Sequence, residues 1–230
     1  MNQPVNLNLS NAFKAGWAGV TKNLLFFISL EVIFYALSLA PNLLDMLVPD
    51  AREDGMFLTI FFAVALASWV LQLLMSMGLI AITLRVLDGQ SVALNQLFSQ
   101  HKKLFIFIGA SFLYGVIVFI GFLLLIIPGI YWAIKYQFYA YRIVDGDDGV
   151  FDSLRRSGEL TEGVKWQLLG LSVVNMLLCL VGALFFGIGL LVAVPITMLA
   201  TGYAYRQLVA RVMPATATVP TAPVAVPPLT

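Results

Sequence analysis

The sequence predicts an all-α polytopic transmembrane bundle, six spans forming three hairpins, each preceded by a cytoplasmic amphipathic interfacial helix. Three observations lead there. Of 230 residues, 60% are apolar and only 11% charged, with a mean hydropathy of +0.93, whereas soluble domains carry about 25% charged residues. The apolar runs are too long for core helices of a soluble domain. Their cationic ends fall on one side of the implied membrane.

The first polar segment places Leu9, Ala12, Phe13, Gly16, Trp17, Val20 and Leu24 at steps of three and four, one face of a helix. Its polar ends predict a helix lying along the headgroups, with Trp17 as an interface anchor. The first span follows over Leu24–Leu47. Ser38-Leu39-Ala40 resembles a cleavage site, but Glu31 within the run and Pro41 after the scissile bond favour an uncleaved span. Asp45, Asp50, Arg52, Glu53 and Asp54 make the stretch from Pro41 to Gly55 an acidic loop. The second span, Met56–Leu87, is about 48 Å long as a helix. It must tilt or project into water at its Arg85 end, where Asp88-Gly89 stops it.

Leu94, Leu97, Phe98, His101, Leu104 and Phe105 make a second helical stripe, with Ser91 placed to cap it. The run Leu104–Val144 would extend about 60 Å as one helix, twice a bilayer. Two spans with a reversal are therefore expected, the turn at Pro128-Gly129 with Gly121 as the competing position. Asp147 and Asp148 are candidate caps of a third polar helix, and Lys165-Trp166 is an anchor at the water boundary. The fifth span is expected over Gln167–Phe186, turned by Gly187-Ile188-Gly189, and the sixth over Leu190–Val212. Residues 1–213 thus form one membrane domain. Residues 214–230, with five prolines and no charge, predict a disordered cytoplasmic tail.

The ends of the even-numbered spans align. Thr83-Leu84-Arg85-Val86-Leu87-Asp88-Gly89 matches Ala140-Tyr141-Arg142-Ile143-Val144-Asp145-Gly146, and Ala204 to Ala210 follows loosely around Arg206. This predicts parallel internal repeats over 9–89, 91–146 and 148–212. Orientation follows from charge. Lys14, Lys22, Arg85, Lys102, Lys103, Arg142, Arg155, Arg156, Lys165, Arg206 and Arg211 share a side, Arg52 opposes them, and Lys135 lies within a span. By the positive-inside rule both termini are cytoplasmic.

Little here suits catalysis. Net charge is +1, which gives no case for nucleic acid. Cys179 is the lone cysteine, so no intrachain disulfide forms. No metal-ligand set, cofactor motif or paired nucleophile and base is apparent, so no catalytic residue is assigned and no cofactor is expected. Asp145, Asp147, Asp148 and Asp152 lack the alternation of a calcium loop. Tyr131, Trp132, Tyr136, Tyr139 and Tyr141 read as an interface belt rather than a ligand box. Glu31 and Lys135 lie inside spans, each roughly 10–13 Å from the cytoplasmic boundary. Equal depth makes them a candidate intramembrane pair, with a packing role favoured over an ion relay. Lys102, Lys103, Arg155, Arg156 and Lys165 are candidate lipid-facing bases, and Trp17 and Trp166 the anchors.

A set of short motifs carries a family likeness. It comprises Pro128-Gly129-Ile130 with Lys135-Tyr136, Asp145, Ser153-Leu154 through Ser157 to Gly163, and Lys165-Trp166. Gly187 to Leu191, Pro195 and Tyr203 to Leu208 complete it. The pattern resembles an uncharacterised bacterial family of six-span membrane proteins, and is similar to the membrane domain fused to some glycerophosphodiester phosphodiesterases. The likeness covers about Gly109–Leu208 and implies a multi-pass protein of the bacterial cytoplasmic membrane. It carries over no catalysis. The expected function is non-enzymatic organisation of membrane lipids, including anionic ones, or of other membrane proteins, at the cytoplasmic face. The rival is a small transporter or lipid-handling permease built on Glu31 and Lys135.

Overall fold

In the computed structural model of the chain, residues 9–47, 55–184 and 187–212 are described. Every regular element among them is a helix: α1 Leu9–Lys22, α2 Leu24–Leu47, α3 Gly55–Leu87, α4 Leu104–Leu124, α5 Ile126–Tyr136, α6 Tyr139–Gly146, α7 Val150–Leu160, α8 Lys165–Leu184 and α9 Leu190–Val212, with two short 3-10 turns at Leu94–Phe98 and His101–Lys103. Four stretches are long and apolar enough to cross a membrane: α2, α3, the 31 residues Leu94–Leu124, and α8. Within the most apolar 18 residues of each, only 11–17% are buried. Helices that are apolar all round yet so little covered need a non-aqueous solvent.

The packed core sits at one end. Residues Met75–Leu87 of α3 contain most of that helix's buried positions. They meet α6 and the inner part of α9, where Ile196, Leu199, Ala200, Tyr203 to Tyr205, Leu208 and Val209 are buried. Phe138, Tyr141 and Tyr205 pack there edge-on or tilted, with ring centroids 5.2–5.8 Å apart. The opposite end exposes Met56, Phe62 and Leu66 of α3, and Phe119 to Ile127 between α4 and α5 are mostly outward.

Several local expectations need correction. The reversal after α4 lies at Leu125, which is extended at φ −168°, ψ 157°, between the two positions foreseen. Pro128 sits in the first turn of α5, where its missing N–H has no intrahelical partner to lose. Gly121 and Gly129 instead let the two arms touch: a Cβ on Gly121 would lie 2.8 Å from the Gly129 Cα. The α8–α9 reversal closes in the same way, with Gly182 against Gly189.

The stripe from Leu94 forms 3-10 turns in place of a continuous helix, and Ala93 rather than Ser91 precedes it. The segment after Leu125 is broken again, α5 ending at Tyr136 and α6 starting at Tyr139. Asp147 and Asp148 do not cap α7, whose N-cap is Gly149. Asp147 is the left-handed residue (φ 56°) that terminates α6. On α1, the Ala12, Gly16 and Val20 side is covered, chiefly by α9. Pro41 is inside α2. Most of the acidic loop (48–54) and the proline-rich tail (214–230) fall outside the described residues.

Candidate functional site at the charged end

The aligned arginine ends meet in space. α3 finishes as a Schellman turn: Gln90 N–H reaches the Arg85 carbonyl at 2.9 Å, Gly89 N–H reaches that of Val86 at 3.1 Å, and Gly89 has φ +70°. This sets Asp88 beside α9, where Arg206 Nη2 donates to its Oδ2 at 2.6 Å. Arg206 Nη1 donates to both Asp145 oxygens at 2.9 and 3.0 Å, and Tyr205 Oη donates to Asp145 Oδ2 at 2.9 Å. One guanidinium therefore joins the last turns of α3, α6 and α9, the fork geometry that arginine provides and lysine does not. Next to it, Arg142 Nε donates to Asp148 Oδ2 at 2.7 Å with both side chains 4% exposed. Arg156 Nη1 takes the other oxygen at 2.7 Å. Lys103 Nζ donates to the Ile143 and Val144 carbonyls at 2.9 Å each and pairs with Asp147, closing the C-terminus of α6.

The α5–α6 break is pinned from α7. Ser157 Oγ accepts the Phe138 N–H at 3.0 Å and donates to the Lys135 carbonyl at 3.2 Å; Thr161 Oγ1 donates to that carbonyl at 3.0 Å. Both hydroxyl residues are fully buried, so they supply bonds the interrupted helix lacks. This anchorage lays α7 alongside α5 and opens a groove of about 660 Å³ between α4, α5 and α7. Its ionisable lining is Lys135, Arg155, Glu159, Glu162 and Lys165, with Tyr131, Tyr136 and Phe151 among the aromatic and apolar walls. Lys165 Nζ donates to Tyr131 Oη at 2.6 Å and lies 4.3 Å from that ring's centroid. Beyond this bridge a second groove of about 500 Å³ is lined by Ile127, Ile130, Ile134, Trp166 and Leu169.

The profile of a domain of unknown function, DUF7847, matches residues 54–227. The chain belongs to that family. Every ion pair and groove residue named above lies within the DUF7847 region, while Trp17 and Glu31 precede it. Among related proteins, the uncharacterised protein Rv2560 of Mycobacterium tuberculosis is 31% identical over 153 residues, covering 65% of this chain and 46% of its own length. The uncharacterised protein Mb2590 of Mycobacterium bovis matches with the same identity and coverage. The chain thus spans less than half the length of the curated relatives it matches. No solved structure matches.

Within this DUF7847 chain the sequence candidates separate. Glu31 is on α2 and Lys135 on α5, and among the described residues no ion pair joins them. Lys135 packs instead against α7: a Cβ on Gly158 would lie 3.1 Å from its Cε, and its Nζ stands 5.1 Å from the Tyr136 ring centroid. Lys103 and Arg156 are engaged within the protein, Lys102 is exposed, and Arg155 and Lys165 line the groove with Lys135. Arg155, 67% exposed, pairs with Asp152 at 2.9 Å. Trp17 (58% exposed) and Trp166 (85%) point outward. The tyrosine belt divides, since Tyr131 is outward while Tyr141 is in the core and Tyr139 bonds Ser111 at 2.9 Å. The sequence reading placed Tyr131 in the interface belt and gave Glu159 and Glu162 no part in a site. The signal available was their spacing against Lys165, which has meaning only once α5 and α7 are known to be neighbours.

Proposed function

We propose that this DUF7847 protein is a six-pass protein of the bacterial cytoplasmic membrane that engages membrane lipids at the cytoplasmic face without catalysing a reaction. The observation that carries this is the paired grooves: an ionisable one and an apolar one share Tyr131 and Lys165 as their common wall. An amphiphilic surface of that kind belongs at the boundary between headgroups and acyl chains. The outward Trp166 beside it supports the same depth. Six passes take α5 with α6 as a broken fourth span and α9 as the sixth, their three arginine ends meeting on the cytoplasmic side. The closing glycine contacts at Gly121–Gly129 and Gly182–Gly189 support two hairpins of one design, as the internal repeat requires. Both termini are cytoplasmic in this reading, and the likeness to a phosphodiesterase-fused membrane domain extends to the bundle alone.

Transport through a Glu31–Lys135 site is not favoured, because no ion pair joins those residues among the described ones. The test is lipid analysis of the intact protein extracted in mild detergent. Phospholipid retained near one equivalent after exhaustive washing is expected. Loss of all lipid from protein that stays folded would reject the proposal.

A further inference from the structure

The grooves also indicate which lipid. Lys135 and Lys165 contact aromatic rings, and neither pairs with a carboxylate among the described residues. Glu159 and Glu162 likewise enter no side-chain ion pair there, although their backbone carbonyls are bonded. Arg155 also lines the groove but pairs with Asp152; the other two cations and the two carboxylates face it without pairing with one another, whereas the nearby Arg142, Arg156 and Arg206 each hold a carboxylate. A purely anionic headgroup would satisfy the lysines and be repelled by the glutamates. A headgroup bearing both signs satisfies all four.

We infer that the ionisable groove seats one zwitterionic phospholipid carrying a primary amine. Its phosphate faces Lys135 and Lys165, its ammonium faces Glu159 and Glu162, and an acyl chain lies over Tyr131 into the groove of Ile127, Ile130, Ile134 and Leu169. This rests on the lipid-engaging reading above. A primary ammonium has three N–H donors for the two carboxylates, which a quaternary choline lacks. Each of the two grooves is within the usual volume range for a site holding a small ligand.

The experiment is native mass spectrometry of the full chain in detergent, titrated separately with phosphatidylethanolamine, phosphatidylglycerol and phosphatidylcholine of identical acyl chains. One saturable phosphatidylethanolamine is expected, bound at least about tenfold tighter than either competitor. Lys135→Ala should weaken all three lipids. The near-isosteric pair Glu159→Gln with Glu162→Gln should cut the preference over phosphatidylglycerol to about threefold or less. Gly158→Ala keeps every charge but displaces the Lys135 stem, and should weaken phosphatidylethanolamine. Equal binding of the three lipids by the unaltered protein, or an unchanged preference in the double variant, overturns the inference while leaving lipid engagement standing. Absence of any saturable lipid overturns both, and should a variant not fold, the wild-type ratio decides.

Discussion

At the scale of single residues, burial separates ion pairs that matter from those that do not. Arg142 and Asp148 are each 4% exposed, and Asp148 also holds Arg156. Removing that carboxylate by Asp148→Asn strands a buried guanidinium, and should lower stability by about 3 kcal/mol in thermal or denaturant unfolding of the detergent-solubilised protein. The Arg155–Asp152 pair is 67% and 55% exposed, so Arg155→Ala should change the same measurement by less than about 1 kcal/mol. Arg142 and Arg155 look alike in the sequence, each three residues from an aspartate. Nothing in their spacing tells a surface pair from a buried one, because that depends on α6 folding back over α7. The alignment of Asp88 with Asp145 was legible, and it pointed to a real junction. What it could not convey is that both aspartates converge on Arg206, 118 and 61 residues further along the chain. Arg206→Lys should therefore be nearly as damaging as Arg206→Ala in the same assay, since a single ammonium cannot span two carboxylates as the planar fork does.

Helices raise a different question: where does an apolar run turn? Runs and their outer limits were readable from hydropathy: α2 and α3 begin and end, and α8 begins, within two residues of expectation, while the expected end of the fifth span at Phe186 lies outside the described residues. The reversal after α4 was not readable, because the chain does not mark it with the residue that bends, whereas the turn expected at Gly187-Ile188-Gly189 is found there, with Gly187 at φ +76°. Gly121 and Gly129 mark the contact between arms, and Leu125 between them makes the turn. Ala at Gly121 must push against the Gly129 backbone and Trp132, and should cost about 1–3 kcal/mol by the penalty for overpacking. Gly115 in the same helix has nothing within 4 Å, so Gly115→Ala should be neutral or stabilising by up to about 1 kcal/mol. The α5–α6 break is harder still to foresee, since Gln137-Phe138 contains no breaker. Its stability comes from Ser157 and Thr161, some twenty residues away in sequence, whose hydroxyls replace intrahelical bonds.

The molecule as a whole is asymmetric along its long axis, and that asymmetry argues its orientation. As a straight helix, α3 with its 33 residues reaches about 50 Å, against roughly 30 Å of hydrocarbon. Its first two-thirds are largely uncovered by protein, while its final turns are enclosed by α6, α9 and the 3-10 turns. The surplus length therefore lies inside a protein layer that also contains the matched ion pairs, and only the uncovered part needs lipid. The two reversals, at Leu125 (69% exposed) and Ile188 (70% exposed), mark the opposite, cation-poor end. In a background with Cys179→Ala, cysteines introduced at Leu125 and Ile188 should react with a membrane-impermeant maleimide on intact cells. Cysteines introduced at Lys102 and Arg155 should react only after the membrane is opened. Eleven cations assigned to one face make the reverse arrangement unfavourable under the positive-inside rule. Labelling of position 102 or 155 on intact cells would turn the bundle over, and the lipid groove would then face the outer leaflet.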